Sequence, residues 1–136
     1  MSTSIEVASA IQLAVAPAFL LTGIGATLTV MTNRLARIID RFRVLNEIHS
    51  KLSNDDLIEL KLLRLRAKWT HWAIALTTLS ALLTCIVIAS IFIGTEIQFN
   101  FDQFIAFLFI GAMSALILGL ISFTREVTLS KNVVKQ

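Results

Sequence analysis

Charged residues, cysteine and proline are all scarce in this sequence. Asp, Glu, Lys and Arg together make up 15% of its 136 residues, whereas about 25% is usual in soluble domains. The single cysteine, Cys85, excludes a disulfide framework or a cysteine-based metal site within one chain. Hydrophobic residues make up 56% of the chain, against roughly 45–50% in soluble domains. This composition favours a membrane protein.

The motifs of common catalytic and cofactor-binding sites are also absent. The sequence contains no serine-nucleophile, phosphate-loop, dinucleotide-binding, zinc-protease or paired-cysteine motif. No pair of acids lies within the long apolar stretches of the sequence that could enter a membrane. We therefore expect that the protein is not an enzyme and that it uses no cofactor or metal.

Three long runs without formal charge dominate the sequence. Residues 7–33 and 69–95 are two runs of 27 residues, and residues 103–124 are a run of 22. Each exceeds the roughly 18 residues that suffice for a membrane-spanning helix. The predicted fold is an all-α membrane protein with a single domain over residues 1–136, whose transmembrane helices cover about 7–33, 69–95 and 102–124.

The twelve lysines and arginines lie on one side of the predicted spans. Nine fall between the first two runs and three follow the last run, whereas the other side carries only acids. Because cytoplasmic loops are enriched in Lys and Arg, this distribution predicts an outside N-terminus and a cytoplasmic C-terminus. Trp69 and Trp72 stand where the second run begins, which is a usual depth for indole rings at the interface.

The segment between the first two spans is predicted to form a cytoplasmic antiparallel helical hairpin that extends both membrane helices. Residues 34–68 contain neither proline nor glycine, and their apolar residues keep a helical spacing except near Ser53 to Asp56. Ser53, followed three residues later by Asp56, has the form of a capping box. This pair predicts the start of the second helix.

Two heptad-spaced stripes are expected to bring the first two helices together. The first stripe comprises Leu21, Ile24, Leu28, Met31, Leu35, Ile38, Phe42, Leu45, His49 and Leu52. The second stripe comprises Ile58, Leu62, Leu65, Trp69, Trp72, Leu76, Leu79, Leu83 and Ile86. His49, their only polar member, is either a titrating switch or a solvated residue near the tip. Thr70, Thr77 and Thr84 form a neighbouring hydroxyl line, and we expect them to bond back to carbonyls of their own helix.

A polar stripe on another face of the first helix is the candidate functional site. It comprises Gln12, Thr22, Ala26, Thr29, Asn33, Arg37 and Asp40. Polar side chains are costly against lipid, so the polar stripe is expected to face protein or water. In an oligomer it could line an axis for a hydrated cation, with Arg37 and Asp40 at the cytoplasmic mouth. The alternative is hydrogen bonding between helices without conduction.

Two further sets of residues are interpreted as features of helix shape and packing. Pro17 removes a backbone hydrogen bond, and Gly23 and Gly25 loosen the following turns, so a bend is expected in the first helix. Small residues that favour close helix approach recur at intervals of four in the third span. They are Gly111, Ala115 and Gly119.

Three segments of the sequence resemble a bacterial family of small membrane proteins. They are IQLAVAPAFLLTGIG at 11–25, NRLARIIDR at 33–41 and FTREV at 123–127. The family consists of three-helix proteins and is known only as a domain of unknown function. The resemblance implies a bacterial or plastid membrane, and we expect the bacterial inner membrane. It implies no activity, cofactor or partner.

The functional hypotheses start from the size of the bundle. Three spans are too few to enclose a transport path, so we expect a homo-oligomer of about three to five subunits in the lipid bilayer. The leading hypothesis is an ion-conducting pore lined by the first helix. The alternative is a non-conducting scaffold or accessory subunit whose cytoplasmic hairpin binds a partner protein. Acids offset the cations of residues 34–68, and proximity to anionic lipid explains the remainder, so no nucleic-acid partner is expected.

Overall fold

The chain folds into three long α-helices. A computed structural model describes residues 2–48 and 51–134, and its helices are α1 (Ser2–Glu47), α2 (Asn54–Ile97) and α3 (Asp102–Val134). Each helix is long and apolar enough to cross a membrane. The prediction of an all-α chain with three candidate membrane spans is therefore confirmed.

The first two helices are longer than a bilayer requires. α1 has 46 residues and α2 has 44, whereas about 20 residues cross the hydrocarbon core. At about 1.5 Å per residue, each of these helices reaches well beyond the hydrocarbon. Both carry all of their lysines and arginines in this extension, which lies between residues 34 and 68.

The face of α1 that packs against α2 follows the first predicted stripe. Every seventh residue from Ile24 to Leu45 is buried, and the same register continues toward the N-terminus through Ala10 and Pro17. A seven-residue repeat keeps one side of a helix in contact with its neighbour over a long distance. The prediction is confirmed for these members of the stripe, and His49 lies outside the described residues.

The second predicted stripe is wrong, because the buried residues of α2 come about one position later in the sequence than its members. Its members Ile58, Trp72 and Leu79 are 64%, 54% and 46% exposed. The buried residues of α2 are instead Leu63, Thr70, Ala73, Thr77, Ser80, Thr84 and Val87. Large apolar side chains lose nothing by facing lipid, whereas small residues allow neighbouring helices to approach. The hydroxyl line therefore occupies the contact face, and the large apolar residues face outward.

The buried threonines of α2 satisfy their hydroxyls within their own helix. Thr70, Thr77 and Thr84 donate to the carbonyls of the residues four positions earlier, at 2.9, 2.7 and 2.8 Å. This back-bonding was the sequence prediction, and it is confirmed. Because the hydroxyls are satisfied in this way, they can be buried without a partner from another helix.

α3 packs closely against α2 through small residues. Ser80 of α2 donates a hydrogen bond of 2.7 Å to the carbonyl of Ala112 in α3. A Cβ placed on Gly119 would lie 2.6 Å from Oγ1 of Thr77, so only glycine fits at this crossing. Ala115 is buried nearby, whereas a Cβ on Gly111 would make an ordinary 3.7 Å contact with Leu83.

Beyond the uncharged runs, α1 and α2 contact each other through larger apolar residues. Ile38, Leu45 and Leu63 form a buried cluster there. Arg41 of α1 also donates a 2.9 Å hydrogen bond to Glu59 of α2. α2 begins with the predicted capping box, in which Ser53 and Asp56 accept from each other's backbone, and this prediction is confirmed.

α1 runs through its only proline as one continuous helix. Pro17 is buried, whereas Gly23 and Gly25 are exposed, and a Cβ added to either glycine would meet no atom within 4 Å. The two glycines therefore leave an open surface on α1. The bend expected at these three residues stays a prediction.

Candidate functional site

The polar stripe lies on the outer surface of α1. All seven of its members, Gln12, Thr22, Ala26, Thr29, Asn33, Arg37 and Asp40, are exposed. They stand roughly opposite the face that carries Ile24, Met31 and Ile38, which packs against the rest of the protein. α1 thus has one face used within the chain and one face that is free.

The threonines of the polar stripe bond to their own helix. Thr22 donates to the carbonyl of Ala18 at 3.2 Å, and Thr29 donates to the carbonyl of Gly25 at 3.0 Å. A hydroxyl that donates in this way keeps its oxygen lone pairs available as acceptors. The threonines therefore need no donor or acceptor from outside, yet they can coordinate a cation or a water molecule.

The other polar side chains of the stripe have no partner among the described residues. The amides of Gln12 and Asn33 make no hydrogen bond in that part of the chain, although both belong to the uncharged run of α1. Arg37 and Asp40 likewise form no ion pair with any described residue, although both are charged and stand at the end of that run. Unsatisfied amides are costly in a bilayer, so this face requires water or another protein surface.

A buried acid joins the three helices where the uncharged runs end. Glu126 of α3 is fully buried, and it accepts a 3.0 Å hydrogen bond from Nε of Arg34 in α1. Arg66 of α2 donates to the same carboxylate through Nε at 3.1 Å and Nη2 at 3.0 Å. We call Arg34, Arg66 and Glu126 the charge network. It is the one set of described ion pairs that ties all three helices together.

The charge network compensates a carboxylate that would be costly to bury alone. A buried charge without a partner destabilises a protein strongly, whereas two guanidinium groups with several hydrogen bonds can offset its desolvation. The side chain of Arg34 remains 33% exposed and that of Arg66 18% exposed. Arg34 also lies over the ring of Phe123, with 5.6 Å between the guanidinium carbon and the ring centroid. The two partly exposed arginines thus connect the buried acid to the surface of the bundle.

A family comparison covers nearly all of this structure. The model of a family described as "Protein of unknown function (DUF2721)" matches residues 14–136. The chain belongs to the DUF2721 family. The family resemblance noted in the sequence is thereby confirmed. No curated protein and no solved structure matches the chain.

The DUF2721 region contains the whole charge network and all of the polar stripe except Gln12. Sequence reasoning did not single out Glu126, which it met only within the FTREV segment. A heptad count along α3 would have found it, because the buried residues Ala112, Ala115, Gly119, Ser122 and Glu126 alternate in steps of three and four. An acid in that register faces the other two helices.

At the opposite end of the DUF2721 bundle, a cavity of about 590 Å³ opens between the three helices. Glu6, Gln98 and Asp102 contribute polar groups to its lining. No cluster of three or more His, Cys, Asp or Glu side chains occurs in residues 2–48 and 51–134.

Proposed function

We propose that this membrane protein is a homo-oligomer in which the polar stripes of neighbouring copies face a common axis that conducts ions. The observation that carries the proposal is the position of the polar stripe. It is exposed, it lies roughly opposite the packed face of α1, and its amides and charges lack partners in the described chain. Additional copies of the chain are the simplest source of a polar environment within a bilayer.

The chemistry of the polar stripe suits a hydrated cation. Thr22 and Thr29 present hydroxyl oxygens, and Asn33 presents an amide oxygen below them. A ring of Asp40 carboxylates at the end of the path would concentrate cations there, as acidic rings do in cation channels. A ring of Arg37 side chains, one turn earlier, would limit the entry of cations. Conduction would then depend on the balance between the Arg37 and Asp40 rings.

The orientation of the proposed pore follows from the cations. The segment between the first two uncharged runs carries nine lysines and arginines, and we place this segment in the cytoplasm of a bacterium as a helical hairpin. Asp40 and Arg37 then form the inner mouth, and the N-terminus lies outside. In this proposal the protein is not an enzyme, and its partners are lipid, ions and about two to four further copies of itself.

A non-conducting scaffold is the second candidate function, because two observations favour it. The open surface at Gly23 and Gly25 and the back-bonded threonines would allow α1 helices to pack in close, dry contact. In addition, Val44, Ile48 and Ile58 of the extensions are 48%, 48% and 64% exposed. Exposed apolar residues on a surface outside the membrane are typical of a protein-binding site.

Reconstitution into planar bilayers distinguishes the two candidates. We expect the purified protein to conduct a monovalent cation, and we expect Asp40→Asn to lower both the conductance and the preference for cations over anions. Asp55→Asn removes the same charge at the exposed start of α2 and serves as the control, which should conduct like the wild type. Silence of the wild-type protein toward monovalent and divalent ions would favour the scaffold.

The oligomeric state is tested separately, because both candidates depend on it. A Thr29→Cys variant in a Cys85→Ser background should form disulfide-linked dimers in the membrane, because Thr29 faces the neighbouring copy in either arrangement. Leu79→Cys, on an outward face of α2, is the matched control and should form no disulfide-linked dimer. Equal crosslinking of both variants would argue against an α1 interface.

A further inference from the structure

A basic groove runs along α1 and α2 beside the charge network. Its volume is about 360 Å³, and its polar lining consists of Arg34, Arg37, Arg41, Arg66, Glu59 and Ser130. The three helices all contribute, since Ser130 belongs to α3. Four guanidinium groups in one groove are an unusual concentration of positive charge in a chain with only twelve Lys and Arg residues.

Three of the four arginines are already held in place by acids. Glu126 binds Arg34 and Arg66, and Glu59 binds Arg41 at 2.9 Å. The hydrogen bond from Arg41 to Glu59 raises the pKa of Arg41, so this guanidinium stays charged. Pre-ordered side chains lose less conformational entropy when they bind a ligand. Arg37 is exposed and has no partner in the described chain, so its donors are free.

The charges of the basic groove do not cancel. Four arginines face Glu59 and the adjoining Glu126, which leaves two positive charges in excess. Guanidinium groups present paired N–H donors that match the oxygens of a phosphate. An anion with phosphate chemistry would therefore complete the electrostatics of the basic groove.

The depth of the basic groove points to a lipid. Arg34 is the first charged residue after the uncharged run of α1, and Arg66 comes three residues before the run of α2. Seven residues of helix separate Arg34 from Arg41, which is about 10 Å along the axis. The polar interfacial layer on each side of a bilayer is about 5–8 Å thick. The basic groove therefore spans the level at which the phosphates of phospholipids lie.

We propose that the basic groove binds the phosphate of an anionic phospholipid from the leaflet on the cation-rich side of the membrane. Arg34 and Arg66, fixed by Glu126, would form the inner wall of the site, and Arg37 would close over the headgroup. This binding site goes beyond the proposed function, since it requires neither an oligomer nor conduction, and in it the Arg37 side chain contacts the headgroup in place of the mouth of the proposed pore. Basic pockets between helices at this depth are typical of recognition of anionic headgroups.

Native mass spectrometry of the full chain tests the lipid site directly. The protein is purified in detergent, mixed with phosphatidylglycerol or phosphatidylcholine, and the fraction that retains a lipid is measured across lipid concentrations. We expect phosphatidylglycerol to be retained at lower concentration than phosphatidylcholine. Arg37→Gln should weaken retention of phosphatidylglycerol about fivefold, because it removes charge-assisted hydrogen bonds without disturbing the charge network.

Arg43→Gln is the matched control for the lipid site. Arg43 is exposed on the same helix, but it does not line the basic groove, so its loss should leave retention unchanged. Equal retention of the two lipids by the wild type would overturn the proposal, as would equal weakening by Arg37→Gln and Arg43→Gln. Displacement of phosphatidylglycerol by millimolar inorganic phosphate would show that the groove takes free phosphate instead of a lipid.

Discussion

The two halves of α2 bury different residues. Within the uncharged run, α2 buries threonine, serine and alanine against its two neighbouring helices, such as Thr77, Ser80 and Ala73. In the extensions, α2 buries Leu63 against Ile38 and Leu45 of α1. The seven-residue register is continuous, so the difference lies in the solvent. Water drives large apolar side chains together, whereas lipid does not distinguish leucine from its own chains.

Between these two halves stands the charge network. Arg34, Arg66 and Glu126 lie at the level where the helices leave lipid and enter water. Their side chains are no longer in lipid, but they are still packed between helices. The ion pairs at this position join all three helices. Along the bundle, the contacts between helices therefore change from small residues to ion pairs, and then from ion pairs to larger apolar residues.

The largest loss of stability should follow from breaking the charge network. Glu126→Gln removes the buried charge that holds two arginines, and we expect it to lower the free energy of unfolding by about 3 kcal/mol. The loss is measured by titrating the detergent-solubilised protein with a denaturing detergent and following helicity. Glu47→Gln, at an exposed acid of α1, is the control and should unfold like the wild type. Equal stability of the two variants would mean that the network contributes little.

Truncation in the extensions should cost more than truncation at the lipid-facing surface. Leu63→Ala leaves a cavity in the cluster with Ile38 and Leu45, and we expect a loss of about 2–3 kcal/mol. Leu79→Ala removes the same atoms from a residue that is 46% exposed, so its loss should stay below about 1 kcal/mol. Similar losses at the two positions would contradict the idea that large apolar residues stabilise the protein more where they are buried from water than where they face lipid.

Enlarging a small residue should destabilise the membrane half only where the helices touch. In Gly119→Ala the new methyl would collide with Thr77 of α2, and we expect a loss of about 1–3 kcal/mol. Gly111→Ala meets only the side-chain end of Leu83 at an ordinary distance, so its stability should change little. Thermal unfolding of the two variants in the same detergent gives the comparison, and a larger effect of Gly111→Ala would disprove it.

The smallest effect is expected for the exposed ion pair of the extensions. Arg41 and Glu59 are partly solvated, so Glu59→Gln should shift the unfolding midpoint less than Glu126→Gln, Leu63→Ala or Gly119→Ala, and high salt should abolish the shift. Because the pKa of Arg41 is raised, its part of the pair is fully present at and below neutral pH. It is lost only as the pH rises through that pKa in strongly alkaline solution. A shift that persists in high salt would contradict this expectation.

The helices and one of the two contact faces followed from the sequence, but the second face did not. The first stripe is correct because its large apolar residues repeat every seven positions in both halves of α1. The second stripe fails because the same reasoning assigned Trp72 and Leu79 to the interior. Within lipid, large apolar residues can lie on any face of a helix, so their periodicity alone does not identify the contact face, and in α2 small residues occupy that face.

The candidate sites were predictable to different degrees. The polar stripe could be read from α1 alone, because its members share a face of one helix. The charge network could not, since Arg34, Arg66 and Glu126 come from three helices and are separated by 32 to 92 positions in the sequence. Nothing within one helix indicates which of the twelve cations an acid will contact.

The sequence by itself determined that this chain forms three membrane-length helices and that α1 carries a polar face. Helix formation and length depend on local composition, since each backbone amide must bond within its own helix in lipid. Only the tertiary structure decided that hydroxyls fill the interior of the bundle and that Glu126 is the acid buried between two arginines. Those outcomes depend on which surfaces approach most closely, and close approach is a property of the assembled helices.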